Sequence, residues 1–407
     1  MSAAVDPVVG GVHAEAMDCI QVNLAVLADL THGRGAHLRL GAPLRLRWRT
    51  GSSGLPSVEP SLDEHLEDAR LLLGLRPSRR FTGVPGSDVP DVLRPDGHTY
   101  LVADAFALPW TPYRGRRHMS HSFLVAPTGG GHDGYEVIDA YHNDTQWGRA
   151  RPGSHRISAA DLVAALASGA QQVLWIDAGP LPAAVPPGGS VDGAAVEEYL
   201  RPYRAAAGEL EAVDELTLQT WLLARSRRLH SAYLAAAGAT GTEAVAGHLD
   251  GWSAIVEQTY LALRRVQRGQ PAPADLVERL ARQLHADLDV FTQQPVPVPV
   301  PAPQQSPVGR QPAGSRVADP NWPAFAALVG GVLGVSPDHL EHITSLETVP
   351  TWSSLRLVEI VEGLERRFGV RFSGDDLLPE HVRDVDHLLA LLGPAGASVL
   401  EPEELIR

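Results

Sequence analysis

A chain of 407 residues is long for one domain and predicts two or three. All 34 of its basic residues are arginines, set against 48 acidic residues for a formal charge of −14. The absence of lysine excludes P-loop phosphate lysines, Schiff-base catalysis and pyridoxal-type chemistry, and the acidic balance argues against nucleic acid as a partner. A single cysteine, Cys19, excludes intrachain disulfides and cysteine-ligated zinc or iron–sulfur sites. The 17 histidines are scattered, with no HExxH-like pair, so no metal site is expected. No window approaches ~18 uninterrupted apolar residues, and residues 1–16 carry acids and no basic stretch, so no membrane span or secretory signal is read. The expected location is the cytoplasm.

Along the chain, Asp18 to Leu30 has apolar residues at helical spacing and ends at Gly33 and Gly35. Asp18 can cap this helix, which places Cys19 in its first turn. Tyr100–Ala103 reads as a strand. Ser122–Ala126 and Gly134–Tyr141 read as a hairpin across the glycine turn Gly129–Gly131. A short helix capped by Ser158 and a strand at Gln172–Ile176 follow. After the Pro/Gly-rich residues 181–190 the pattern becomes helical, with four segments expected at 196–207, 215–237, 242–268 and 273–292. Residues 294–318 hold alternating prolines that leave too few amide donors for helix or sheet, so they read as a semi-rigid polyproline II spacer. Residues 319–395 read as a small helical domain. From Asp319 onward there are 15 acidic residues and 6 arginines, so 9 of the 14 excess negative charges fall in the last fifth of the chain.

In that last domain, Leu355, Val358, Val361, Leu364 and Phe368 share one helical face, which puts Ser354 at the helix N-terminus. There the helix dipole and free N–H groups favour an attached phosphate. The stretch Thr351-Trp352-Ser353-Ser354-Leu355, followed by Phe368-Gly369-Val370-Arg371-Phe372 and Asp375-Asp376, resembles the attachment region of acyl and peptidyl carrier proteins. That resemblance implies 4′-phosphopantetheine on Ser354, installed by a phosphopantetheinyl transferase. Carrier proteins usually have Asp immediately before the serine; here Ser353 takes that place. A plain helical interaction domain with two capping serines is the alternative.

The front of the chain offers a nucleophile. At a helix N-terminus the dipole stabilises a thiolate, and backbone N–H groups can receive an oxyanion. His121 opens the strand that continues Ser122-Phe123-Leu124-Val125, and Asp139 lies on its hairpin partner, so pairing can bring carboxylate and imidazole together. Cysteine on a helix with histidine and aspartate on neighbouring strands is the constellation of papain-like enzymes. His118 could replace His121, and Asp144 or Asp133 could replace Asp139. Asn23, four residues after Cys19, could touch substrate or be structural. Arg114, Arg116 and Arg117 are either a solvated loop or a site for a carrier's acidic face or the phosphate of its arm. Asp104 reads as a structural hydrogen-bond acceptor.

The order of the Cys19 helix, Asp104-Ala105-Phe106-Ala107-Leu108-Pro109-Trp110, His121-Ser122-Phe123-Leu124-Val125 and Val137-Ile138-Asp139 resembles the butirosin-type side-chain acyltransferases over roughly residues 10–180. The region before the cysteine departs from closer members, since Met17-Asp18 lacks a histidine there. The resemblance implies an α+β protein: a papain-like cysteine acyltransferase domain at 1–182, a helical domain at 191–293, the Pro-rich linker at 294–318 and a four-helix carrier domain at 319–395. It also implies catalysis by Cys19, His121 and Asp139, with an acyl or aminoacyl group passing from a carrier thioester through Cys19 to an amine in natural-product (antibiotic) biosynthesis. The implied partners are an acyl-loading enzyme, a small-molecule amine acceptor and, besides the tethered carrier, other carrier proteins. A thioesterase or cysteine protease using the same triad, or an inactive carrier-presenting scaffold, are the competing readings.

Overall fold

The computed structural model describes residues 8–128, 134–183, 192–238, 243–292, 319–349, 351–352, 354–372, 382 and 384–392; for Thr292, Glu347, Ser354 and Leu355 it describes the backbone alone. The fold is mixed α+β, and no helix among the described residues is long and apolar enough to cross a membrane. The expected glycine turn at 129–131, the spacer at 294–318 and the acidic pair Asp375-Asp376 lie outside the described residues, as do Asp133 and Ser353.

The described parts of Met1–Ala207, Glu215–Trp252 and Val277–Pro297 form one compact unit, and those of Gly208–Asp214, Ser253–Leu276 and Val298–Arg407 a second. The expected division into a front domain and a separate helical domain is therefore redrawn. The reason is polar as much as apolar. From the helical segment, the Tyr203 hydroxyl donates to the Pro56 carbonyl, the Gln219 amide contacts Ser57 and Val58, and the His230 ring meets the Gly41 carbonyl. At Gly41 a β-carbon would collide with the Leu229 carbonyl, so glycine permits this close approach.

In the first unit, helix α1 (Gln21–His32) precedes a short hairpin, β1 (Arg49–Thr50) and β2 (Pro56–Ser57), and helix α2 (Leu62–Asp68). The strands β3 (Leu75–Val84), β4 (Thr99–Asp104), β5 (Ser120–Pro127) and β6 (Gly134–Asp139) come next. A ribbon of β7 (Asn143–Thr145) and β8 (Gly148–Ala150) leads to β9 (Gly153–Ser158), helix α3 (Ala159–Ala165) and β10 (Ala170–Ala178). Six strands pair antiparallel in the order β3-β10-β4-β5-β6-β9.

Alternation sends successive side chains to opposite faces. Tyr100, Val102, Leu124, Ile138 and Leu174 pack with the apolar residues of α1. Leu101, Ala103, Phe123, Val125, Val137 and Val173 pack with Leu162 and Ala165 of α3. Ser158 caps α3 in a capping box with Asp161, as its sequence position suggests.

Four long helices follow: α4 (Gly193–Ala205), α5 (Leu210–Ala236), α6 (Glu243–Gln267) and α7 (Leu276–Thr292), each within a few residues of its expected span. In the first unit, the fully buried Asp287 of α7 accepts from Arg227, His248 and Trp252, so its charge is both paired and saturated with hydrogen bonds.

The second unit contains α8 (Trp322–Leu333), α9 (Pro337–Glu341), α10 (Ser354–Phe368) and α11 (Val385–Ala390). Val358, Val361 and Leu364 are buried as expected, and Phe368 packs on the same core. Leu357 and Ile360 are buried as well, because the chain segment 253–276 joins this unit and brings Leu261 and Tyr260 to the core. Glu362 of α10 accepts from Arg264 at 3.1 Å and pairs with Arg268 at 2.5 Å.

Candidate active site

Cys19 sits in the turn just before α1, not within its first helical turn. Asp18 starts the helix: one carboxylate oxygen accepts from the N–H groups of Ile20 and Gln21 at 2.8 and 2.7 Å, and the other faces Nε2 of buried His65 at 3.3 Å. Burial would raise the Asp18 pKa, but the charge and hydrogen bond of His65 outweigh it and hold the carboxyl below its ordinary range. Because Asp18 occupies those two amides, they are withdrawn from any substrate oxygen. The Cys19 N–H has no acceptor among the described residues.

The strands deliver the other two members. His121 lies opposite Ala103 in the β4–β5 pairing, and Asp139 closes β6 one position beyond the Leu124–Ile138 pair. His121 Nε2 and Asp139 Oδ2 are 2.7 Å apart. Asp139 Oδ2 also accepts from Trp110 Nε1 at 3.1 Å, and Oδ1 accepts from the Tyr141 N–H at 3.0 Å. With Nε2–H directed to the carboxylate, the lone pair of neutral His121 is on Nδ1. Nδ1 makes no hydrogen bond, and the neighbouring Cys19 adds to the proton affinity of the ring. The structure thus brings Cys19, His121 and Asp139 together.

The electrostatics match an acid–base pair. Burial pushes the Cys19 thiol above its ordinary value of 9.0, with Asp18 and Asp139 adding to the rise and His121 opposing it. Burial alone would lower the His121 pKa; the charge and hydrogen bond of Asp139, with a smaller part from Cys19, reverse this and push it up to about 10. Asp139 thus favours the imidazolium of His121, the form the ring takes when it holds the thiol proton beside a Cys19 thiolate. At rest the thiol donates to the Ser120 carbonyl at 3.5 Å. Cys19 is only 8% exposed and His121 not at all.

Asn23 is a strut, not a substrate contact. Fully buried, it donates to the Ser122 carbonyl and hydroxyl at 2.9 and 3.1 Å and accepts from the Ala140 N–H at 3.1 Å. It thereby ties α1 to the strand carrying His121 and to the residue after Asp139. Asn23→Ala is expected to lower unfolding free energy by about 2–3 kcal/mol in urea denaturation, since it orphans buried backbone groups.

The other candidates lie elsewhere. His118 pairs with Asp104 at 2.6 Å, stacks on Phe106 and is exposed, so it does not substitute for His121. Asp104 also accepts from the N–H groups of Phe106 and Met119, a structural role as expected. Asp144 is held by Arg151 at 2.6 Å on the β7–β8 ribbon. Arg114, Arg116 and Arg117 are exposed and have no carboxylate partner among the described residues. Ser354 begins α10, with its side chain outside the described residues.

Besides His65, two contributors escaped the sequence reading. Ser122 donates to the Cys19 carbonyl from within β5; a serine interrupting an apolar strand is the signal for it. Arg225 of α5 donates to the carbonyls of Ala14, Met17 and His142 at 3.0, 2.5 and 2.7 Å while its guanidinium lies 4.0 Å above the Trp221 ring. It fastens the segment before Cys19 to the segment after Asp139.

No family model matches the chain, and no curated protein matches it.

Proposed function

We propose that the protein is a cysteine-dependent acyltransferase with a papain-like catalytic unit, which takes an acyl or aminoacyl group from a carrier thioester onto Cys19 and passes it to an amine. The observation that carries this reading is the arrangement of Cys19, His121 and Asp139, in which the imidazole nitrogen not used by the carboxylate remains for the thiol.

In this reading His121 takes the Cys19 proton, and the sulfur attacks the thioester carbonyl, whose π pair moves onto oxygen. Collapse breaks the bond to the departing thiol sulfur, to which His121 returns the proton. The amine then attacks the acyl-enzyme, His121 accepts the amine proton, and collapse leaves an amide and frees Cys19.

The 319–395 region is the carrier in this proposal, with Ser354 as the residue that would hold 4′-phosphopantetheine. The start of a 15-residue helix suits a phosphate ester there. The group supplies the thiol on which the acyl cargo arrives. The Pro-rich spacer would keep the carrier at ~mM effective concentration, and the exposed Arg114, Arg116 and Arg117 suit its acidic surface. A phosphopantetheinyl transferase, an acyl-loading enzyme and a small-molecule amine complete the set of partners, other carrier proteins can serve as donors, and the cytoplasm is the fitting location.

Incubating the full chain with a phosphopantetheinyl transferase and aminoacyl-coenzyme A, then with an amine panel, tests this. Intact-protein mass spectrometry should show one phosphopantetheine adduct at Ser354, an acyl adduct at Cys19 and amide product on amine addition. Free acid as the only product would establish a thioesterase. A loaded carrier with no acyl adduct at Cys19 would leave only a carrier-presenting scaffold.

A further inference from the structure

The described acceptors and donors around the thiol do not balance. Tyr113 and Tyr141 are both buried, and their hydroxyl oxygens lie 3.3 Å apart. The Asn143 amide donates to the Tyr113 oxygen at 3.2 Å. Two phenols hold two O–H hydrogens, and their mutual bond uses one. Whichever phenol donates in that bond, the other hydrogen has no acceptor among the described residues. A buried donor without a partner is costly, by roughly 1–3 kcal/mol, and such exceptions call for an explanation.

The location supplies one. Tyr141 packs edge-on against His121 with ring centroids 5.3 Å apart, and Tyr113 and Tyr141 share one core cluster with Cys19. The Trp147 ring meets Tyr113 edge-on with centroids 6.0 Å apart. Both phenols lie within electrostatic range of the Cys19 sulfur, and burial raises both their pKa values, so they remain protonated donors at neutral pH. At the start of α1, Asp18 has removed the Ile20 and Gln21 amides, which leaves the Cys19 N–H as the unengaged backbone donor there.

We propose that the Tyr113–Tyr141 hydroxyl pair supplies the second donor of an oxyanion site whose first donor is the Cys19 N–H. This rests on the acyl-transfer reading. When the sulfur adds to a thioester carbonyl, the new C–S bond pushes the carbonyl π pair onto oxygen. The surplus phenolic O–H then has the acceptor it lacks at rest, and releases it when the carbonyl re-forms and the thiol leaves. Donors that gain a partner only as the charge develops lower the barrier without tightening ground-state binding.

Acylation and alkylation separate this role from a structural one. Aminoacyl N-acetylcysteamine thioesters generate an oxyanion on reaction with Cys19, whereas iodoacetamide reacts by displacement at carbon and generates none. In the full-length protein, Tyr113→Phe/Tyr141→Phe should acylate Cys19 about 10²–10³-fold more slowly, in single-turnover mass spectrometry. Its alkylation rate should be unchanged. Tyr113→Phe and Tyr141→Phe singly each keep one O–H, so the one that loses the hydroxyl serving the oxyanion should acylate more slowly than wild type; the two single variants carry the test if the double variant does not fold. Wild-type acylation rates in the variants would overturn the proposal, and so would an equal fall in acylation and alkylation, which would make the pair a support for the thiol. A wild-type protein that alkylates but never acylates would instead remove the acyl-transfer reading itself.

Discussion

Cys19→Ala should abolish acyl-enzyme formation and lower amide production by at least about 10³-fold, because Cys19 is the only thiol in the sequence. Attachment of phosphopantetheine at Ser354 should be unaffected, as that residue starts a helix of the second unit. Stability should change little: the side chain is small, and its single bond, a thiol donating to the Ser120 carbonyl at 3.5 Å, is weak. The check is parallel: mass of the loaded carrier, mass of the acyl-enzyme, and product formed with an amine. Amide produced at the wild-type rate would remove Cys19 from the chemistry and with it the proposed function.

Asp139→Asn should be nearly as severe, with a fall in kcat of roughly 10⁴-fold. The carboxylate receives three donors, from His121, Trp110 and the Tyr141 backbone. An amide in its place presents one acceptor oxygen and a nitrogen that can only donate, so at least one of the three loses its partner. Burial is then opposed by Cys19 alone, and the proton affinity of His121 falls from about 10. The imidazole can no longer take the thiol proton near neutrality. Alkylation of Cys19 by iodoacetamide, followed against pH, should therefore reach half its maximum at a higher pH than in wild type. Stability shows the same link: in wild type the protonated His121 stabilises the fold fully below about pH 6.5, and this part is lost as pH rises through about 10. In Asp139→Asn that loss between neutral and alkaline pH should disappear. An unchanged alkylation profile would show that Asp139 does not set the base.

The elements legible in the sequence were those with strong local periodicity. The β5–β6 pairing, α1, α3 and the four long helices follow from apolar spacing and from caps such as Ser158. Strand β3 was not legible: it lies at the sheet edge, and its interior from Arg76 to Arg80 is exposed, so no alternation marks it. Strand β9 is equally polar and short. At the site, Cys19, His121 and Asp139 could be nominated, with His118, Asp144 and Asp133 as alternatives, because each lay on a readable element where its chemistry suited the others. The start of α1 was misplaced by two residues because Asp18 caps two amides through its side chain before the helical bonds begin. His65 beside Asp18 and Arg225 beside Met17 were invisible, since contacts across long sequence separations leave no local pattern.

Arg225 also bears on when the thiol becomes useful. Its bonds to Ala14 and Met17 span 211 and 208 positions of chain. Such closures are late events in folding, since distant partners must first be brought together. During synthesis, the segment before Cys19 and the segment after Asp139 stay unfastened until α5 has been made and docked. A nascent chain already carrying Cys19, His121 and Asp139 therefore lacks this fastening, which is completed only when the helical segment arrives.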